Sequence, residues 1–420
     1  MDNPVTQSIL VVGGGMAGMS AAIEAAEAGY DVYLVEKNPY LGGRVAQLHK
    51  YFPKLCPPYC GLEINFRRMR QNQKVRFFTM AEVESISGQA GDFTVSVRLN
   101  PRYVNEKCTC CGKCAEACSM EMDNPFNFGL DKIKAAYLPH DMALPMRYVL
   151  DPALVKSGEA QKVNEACPYE AIELDMQPKT MELKVGAIVW ASGWDPYDAA
   201  KLDTYGFGQY PNLITNVMME RLAAWNGPTQ GKIVRPSDGQ APQTIGFVQC
   251  AGSRDENHLP FCSGICCLAS LKQVTYIREQ HPEAKVYIFF IDIRATDRLE
   301  DFYAKVKEDP NIVFFKGKVA KITEDPATKN LILRVENTAT EKLEEISVDL
   351  AVLATGMQPT TSKSPLPLKA AYDDYGFIAQ NSGLPGVFGA GCARTPVNVS
   401  EAVQDGTAAA LKAIQFIGRR

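Results

Sequence analysis

The residues best suited to chemistry in this chain are cysteines, and they fall into two groups. KCTCCGKCAEAC, residues 107–118, places Cys108, Cys111, Cys114 and Cys118 in the frame C-x2-C-x2-C-x3-C, and EACPYEAIEL later supplies Cys167 followed by Pro168. In ferredoxin-type runs the first three cysteines bind one cubane, and a cysteine preceding a proline elsewhere completes it. That rule assigns Cys108, Cys111, Cys114 and Cys167 to one [4Fe-4S] cluster, with Cys110 and Cys118 as runner-up ligands. Closely spaced thiols also build zinc sites, which is the competing reading. The other group, Cys250, Cys262, Cys266 and Cys267, lies in VQCAGSRDENHLPFCSGICCLASLKQ with the unusual spacing C-x11-C-x3-C-C. Four thiolates suffice for a second [4Fe-4S] cluster, and soft sulfur suits iron-sulfur chemistry. Buried cysteines that only pack are the alternative.

A phosphate cradle precedes both groups. SILVVGGGMAGMSAAIEAAEAGYDVYLVE, residues 8–36, reads as strand, glycine turn, alanine-rich helix and second strand, with Gly13, Gly15 and Gly18 in the G-x-G-x-x-G frame and Glu36 closing the unit. Glycines permit the tight turn and the approach of backbone to a pyrophosphate, the helix N-terminus favours its charge, and the carboxylate accepts from ribose hydroxyls. Each part alone is a weak signal; strand, helix, spacing and acid together point to a dinucleotide.

These parts need a scaffold, and the totals allow one. With 420 residues, 46% hydrophobic and 22% charged, the chain has the composition of a globular protein of two or three packed units. A net charge of -4 and no long basic run give nothing to neutralise a nucleic acid backbone, so no nucleic acid partner is expected. No signal peptide is expected at MDNPVTQSILVVGGGMAG, and no window of about 18 apolar residues predicts a membrane span. Thirteen cysteines in a cytoplasmic chain point to metal or redox work rather than to disulfides.

The segment PYLGGRVAQ, with Gly42, Gly43 and Arg44, resembles the flavoprotein disulfide reductase superfamily, in which a paired-glycine segment lies along the pyrophosphate of FAD. KVGAIVWASGWDPY, with Gly193, VDLAVLATGMQP, with Gly356, and LPGVFGAGCARTP, with Gly391, resemble the segments by which that superfamily returns to its FAD domain. Cys392 stands where those relatives often carry an aspartate. The expected fold class is α/β: a discontinuous Rossmann-like FAD domain with a ferredoxin-like insert and a second, degenerate nucleotide-fold domain. The expected boundaries are 1–100 for the first part of the FAD domain, 101–180 for the insert, 181–243 for a return and linker, 244–345 for the degenerate domain and 346–420 for the last FAD part. TIGFVQCAGSRD carries thiols where a second glycine turn would stand, so no NAD(P) is expected.

The combination of FAD unit, ferredoxin insert and the second cysteine set followed by a lysine is similar to the A subunit of heterodisulfide reductases. The short architecture, without the further terminal domains of longer members, resembles the A subunit of the quinone-interacting membrane-bound oxidoreductase complex. That resemblance implies FAD and two [4Fe-4S] clusters in an electron-transfer subunit. Its partners would be the other subunits and adenylylsulfate reductase, and it would be cytoplasmic, peripheral on the inner face of the membrane through them. It also places Lys272 beside the flavin as a catalytic cation; an ordinary lysine on an amphipathic helix is the alternative. Flavin-based bifurcation, known in the longer relatives, is a rival mechanism. A thiol/disulfide oxidoreductase using Cys56 and Cys60 of LCPPYCG is a rival function, against a structural or flavin-packing role for that pair. His49, His140, His258 and His281 form no ligand pattern.

Overall fold

The computed structural model of the chain describes residues 6–418 apart from 297 and 339. The strand Ser8–Val12, the helix Met16–Glu27 and the strand Asp31–Glu36 open a five-stranded parallel sheet. Its order is Val387–Gly389, Ala187–Trp190, Ser8–Val12, Asp31–Glu36, Val75–Thr79. Ile9, Leu10 and Val11 are buried on both faces, the apolar run that a parallel strand covered by helices requires. Alanine fills the first helix because it costs least in a helix and lets neighbours approach closely. The C-terminal helix Val399–Gly418 exploits that: a Cβ on Gly406 would fall 2.2 Å from the carbonyl oxygen of Ala17. The two ends of the chain therefore close one domain.

A second parallel sheet repeats the plan in the order Leu213–Thr215, Leu350–Thr355, Thr244–Ala251, Lys285–Phe290, Ile312–Lys316. Each parallel sheet has a three-stranded antiparallel companion, Ala81–Gln89, Asp92–Leu99 and Lys179–Val185 in one case, Val319–Glu324, Leu331–Asn337 and Lys342–Val348 in the other. The fold class is thus the expected α/β one, with two Rossmann-type units. Two expected boundaries move. Leu350–Thr355, read as the return to the FAD domain, lies in the interior of the second sheet between Leu213–Thr215 and Thr244–Ala251. Leu213–Thr215 and the helix Asn216–Ala223 also belong to the second unit rather than to a linker, so neither 243/244 nor 345/346 divides the domains. The reason is burial: all six residues of Leu350–Thr355 are enclosed, which an interior strand demands.

The insert leaves the first domain between two neighbouring antiparallel strands, Asp92–Leu99 and Lys179–Val185. It contains short helices and two two-stranded ribbons around a small core that includes Val104, Ala136, Leu150, Leu154, Val163 and Ile172. The crossing between the nucleotide-fold units is an antiparallel pair, Trp194–Pro196 against Met357–Pro359. Replacing Gly406 by alanine is expected to destabilise the protein by about 3 kcal/mol, because the new methyl meets backbone that cannot yield. Urea unfolding of the variant measures this; an unchanged midpoint would show that the two helices have slack.

Candidate functional site: one cavity and two sets of thiols

A cavity of about 600 Å³ opens at the carboxyl edge of the first sheet, the edge where open α/β sheets bind ligands. Gly13, Gly15, Glu36, Gly43, Arg44, Gly193 and Cys392 line it. The helix Met16–Glu27 points its N-terminus there with no side-chain cap and no acid in its first turn, so its free N–H groups suit an anion. Gly43 has φ +55°, and a Cβ on it would come 2.9 Å from the Gly15 Cα, filling the passage between the two glycine segments. Gly18 acts behind the cradle: a Cβ there would overlap the Gly13 carbonyl. Gly42 donates its N–H to the Gly14 carbonyl at 2.8 Å, and Gly391 donates to Asp405 Oδ2 at 2.7 Å, so both shape the wall without lining it.

Glu36 is buried and accepts from Gly14 N at 2.6 Å and from Asn38 N and Nδ2 at 2.7 and 2.8 Å. Burial raises its pKa, and those hydrogen bonds oppose the rise. Arg44 bonds Asp195 Oδ1 at 2.5 Å and the Trp194 carbonyl at 3.3 Å, tying the paired-glycine segment to the interdomain crossing. Cys392 donates to the Val397 carbonyl at 3.6 Å, and burial pushes its thiol up to about 12.

The insert supplies part of the cavity wall through Asn124, Pro125, Phe126 and Tyr137. Its own small cavity, about 20 Å³, is lined by Cys108, Cys111, Cys114 and Cys167 together with Tyr148. Cys118 is outside that lining and donates to the Met120 carbonyl at 3.5 Å; Cys110, also outside, sits beside Cys108 in a left-handed conformation at φ 58°. Burial, then the neighbouring Cys108 and Cys167 thiolates, pushes Cys114 up to about 12. Among the described residues no three His, Cys, Asp or Glu side chains converge as a single metal ion requires.

The second set gathers at the carboxyl edge of the second sheet. Cys266 donates to the Thr355 carbonyl at 3.5 Å and Cys267 to the Asp292 carbonyl at 3.7 Å. Burial raises Cys250 to about 11, with the Cys267 and Cys262 thiolates adding to it, and it raises Cys266 further with Cys267, Cys250 and Cys262 all contributing. Cys266 and Cys267 begin the helix Cys266–Gln280, whose N-terminus carries no side-chain cap. Nearby in sequence, buried Ser253 Oγ and both amide atoms of Gln249 have no protein partner, donors and acceptors that a bound inorganic group would satisfy. Gly356 packs here, against Ser253 and Ser263, and not in the cavity of the first domain. That placement corrects its reading as an FAD-binding glycine, since its strand belongs to the second sheet.

Lys272 is not among the residues lining the cavity. It is buried, paired with Glu220 Oε1 at 3.0 Å and bonded to the Lys50 carbonyl at 2.5 Å, three residues past the lining residue Gln47. Glu220 also accepts from His49 N at 3.0 Å and Gln273 Nε2 at 2.7 Å. Next to it Arg221 is fully buried and links the second domain to Gln47 and to Asn127 of the insert. Neither Glu220 nor Arg221 stood out in the sequence, because adjacent charges on a short helix read as a solvated face. Cys56 is half-buried and Cys60 exposed, and neither lines the cavity.

Fold and cradle together define the class, a Rossmann-type α/β protein with a dinucleotide cradle. The profile of the family described as FAD dependent oxidoreductase matches residues 8–71. Similar folds are the thioredoxin reductases of T. acidophilum, with TM-score 0.54 and 15% identity over 97% of this chain and 98% of that one, and of Lactococcus lactis, with TM-score 0.56 and 14% identity over 99% and 100%. At that identity they speak to the fold alone. Proteins the chain is similar to include A subunits of heterodisulfide reductases. The chain is 39% identical over 422 residues to the second iron-sulfur A subunit of the CoB–CoM heterodisulfide reductase of Methanopyrus kandleri, and 39% identical over 423 residues to the corresponding iron-sulfur A subunit of Methanocaldococcus jannaschii. Both matches take in 97% of this chain and 64% of the relative, so the chain spans just under two thirds of their length. Among the described residues no helix is long and apolar enough to cross a membrane.

His140 stacks on Phe126 of the cavity wall at 4.7 Å, and its Nδ1 accepts from Met142 N at 3.3 Å. Burial lowers its pKa from 6.5 to about 4. Between those values the unfolded chain binds a proton that the native state refuses, so this stability is complete above pH 6.5 and is lost as pH falls through about 4. His140→Phe is expected to remove up to about 3 kcal/mol of that acid-side slope. Urea unfolding across the range provides the check, and an identical slope in the variant would show that His140 is not its source.

Proposed function

We propose that this chain is the FAD and iron-sulfur electron-transfer subunit of a heterodisulfide reductase-type complex. In this reading FAD occupies the large cavity, and each cysteine set holds one [4Fe-4S] cluster. The carrying observation is that two four-thiol sets, on separate modules, connect to one dinucleotide cavity. The insert does so through the wall residues Asn124 to Phe126 and Tyr137. The second domain does so through the crossing: Thr360 lines the cavity, Thr355 accepts from Cys266, and five residues of extended chain between them span at most about 18 Å.

FAD takes up an electron pair and can release its electrons singly, while each cubane carries one at a time. The chain's own residues do the rest. The N-terminus of Met16–Glu27 binds the pyrophosphate and Glu36 orients the ribose. Arg44, held by Asp195, fixes the paired-glycine segment, and Phe126 and Trp190 exclude water from the wall. Lys272 acts from behind Gln47 as a positioning cation whose charge Glu220 offsets. Cys108, Cys111, Cys114 and Cys167 hold one cluster and Cys250, Cys262, Cys266 and Cys267 the other. The latter replace the glycine turn of a nicotinamide domain, and we assign no NAD(P) site there.

Two narrower assignments stand within this reading. Relatives include the A subunit of the H(2):CoB-CoM heterodisulfide,ferredoxin reductase of Methanothermobacter marburgensis, and two thiol sets give one flavin two exits; this supports division of an electron pair between two acceptors. The likeness to the quinone-interacting complex supports instead a relay between membrane quinone and adenylylsulfate reductase through partner subunits. The relatives favour the first. Thiol/disulfide chemistry at Cys56 and Cys60 is not favoured, since neither residue lines the cavity.

Anaerobic purification should yield about eight iron and eight sulfide per chain with one FAD. Cys266→Ser with Cys267→Ser, and separately Cys111→Ser with Cys114→Ser, should each halve the iron and remove one of two EPR signals from the reduced protein. Zinc without iron would overturn the reading. The same iron content in either double variant would free that set of any ligand role.

A further inference from the structure

Charged side chains enter protein interiors paired, because an isolated buried charge is costly. Arg221 departs from that rule. It is 0% exposed, and every hydrogen bond it makes is to a neutral acceptor. Nε donates to Asn127 Oδ1 at 2.7 Å, Nη1 to the Gln47 carbonyl at 3.3 Å, and Nη2 to the Asn226 carbonyl and Oδ1 at 3.0 and 2.9 Å. Its guanidinium carbon lies 4.6 Å from the centre of the Phe126 ring. The carboxylates around it are engaged elsewhere. Glu220 pairs with Lys272 at 3.0 Å, Asp131 accepts from Asn127 Nδ2 at 3.0 Å, and Asp141 accepts from Asn226 Nδ2 at 2.8 Å. The amides of Asn127 and Asn226 thus stand between the cation and Asp131 and Asp141.

The charge stands directly behind the cavity wall, since Phe126 and Gln47 both line the cavity and Gln47 Nε2 donates to the Phe126 carbonyl at 3.0 Å. In the proposed reading the flavin ring lies on this side of the helix mouth, since Gln47 also accepts from Arg44, which bonds Trp194 and Asp195 of the crossing. Gly43 lies against Gly15 at the helix mouth, where the pyrophosphate binds, and the 3₁₀ turn Gly43–Gln47 carries the wall about 8 Å away from it.

We infer that Arg221 is a positioning residue for the redox step, a buried cation with no direct carboxylate partner that favours the reduced, anionic flavin. The inference rests on FAD occupying the cavity, as proposed above. Two electrons and one proton convert the neutral oxidised ring into a reduced ring with one negative charge. A fixed positive charge beyond one layer of side chains lowers the energy of that product relative to the oxidised form. The guanidinium also joins the second domain to the insert and the first domain, so a variant must separate charge from packing.

Three variants do this. Arg221→Lys keeps the charge, and Arg221→Gln removes it. The exchange Asn226→Asp with Asp141→Asn moves a carboxylate into contact with an unaltered guanidinium and keeps the total charge. Purified proteins are reduced with dithionite against indicator dyes, and the flavin midpoint is read from its absorbance. At a fixed potential the reduced-to-oxidised ratio should fall about tenfold in Arg221→Gln and in the exchange variant, about 30 mV for a two-electron couple, and change little in Arg221→Lys. If Arg221→Gln does not fold, the exchange variant alone decides. Unshifted midpoints in variants retaining full flavin would overturn the inference and leave the FAD reading intact. A native protein without flavin would remove both.

Discussion

Parallel strands all end at one edge, and both the phosphate cradle and the second set of thiols stand at such an edge. The glycine turn follows Ser8–Val12, Gly193 follows Ala187–Trp190, and Cys392 follows Val387–Gly389. In the second sheet Cys250 lies near the end of Thr244–Ala251, and Thr355, which accepts from Cys266, ends Leu350–Thr355. Register matters because of this. A parallel ladder sets neighbouring strand ends level, so residues far apart in the chain reach one cavity without any contact between them in sequence. The second unit keeps the scaffold and changes the chemistry at the edge from backbone N–H groups to thiols.

Each set contains buried thiols, Cys114 in the first and Cys250 and Cys267 in the second. Removed from water and set beside other thiols, Cys114 and Cys250 hold their protons more tightly than free cysteine, at about 12 and about 11. A metal cluster reverses that preference, because it binds the thiolate and neutralises the mutual repulsion. Cys266 and Cys267 open the helix Cys266–Gln280, and a helix N-terminus favours negative charge beside it.

The modules are held together by buried polar groups as well as by apolar packing. Glu220, Arg221, Lys272 and Gln273 are all buried, and their partners include Gln47, His49 and Lys50 of the first domain and Asn127 of the insert. Such a network is costly unless its members are satisfied, and it then specifies one arrangement of the modules. Lys50 with Glu279 at 3.2 Å and Phe52 against Phe302 at 5.5 Å extend the same interface.

Local signals were legible in the sequence because their chemistry depends on spacing along the chain. Gly13, Gly15, Gly18 and Glu36 sit within one strand-helix-strand unit, and Cys108, Cys111 and Cys114 within one short loop, so their grouping did not depend on a distant fold. Even Cys167 was accessible, through the proline that follows it. The sheet to which Leu350–Thr355 belongs was not, because apolar strands ending in glycine turns serve both domains and pairing partners leave no local mark. For the same reason Gly356 was misplaced. Burial of charge was equally hidden. The segment MERLAAW reads as a solvated helix, whereas packing between three modules encloses Glu220 and Arg221. The sequence alone therefore determined which groups this protein carries for chemistry, since spacing is a local property. Which of them share a cavity, and which charges lie behind its wall, was decided only by tertiary structure, because both depend on what removes a side chain from water.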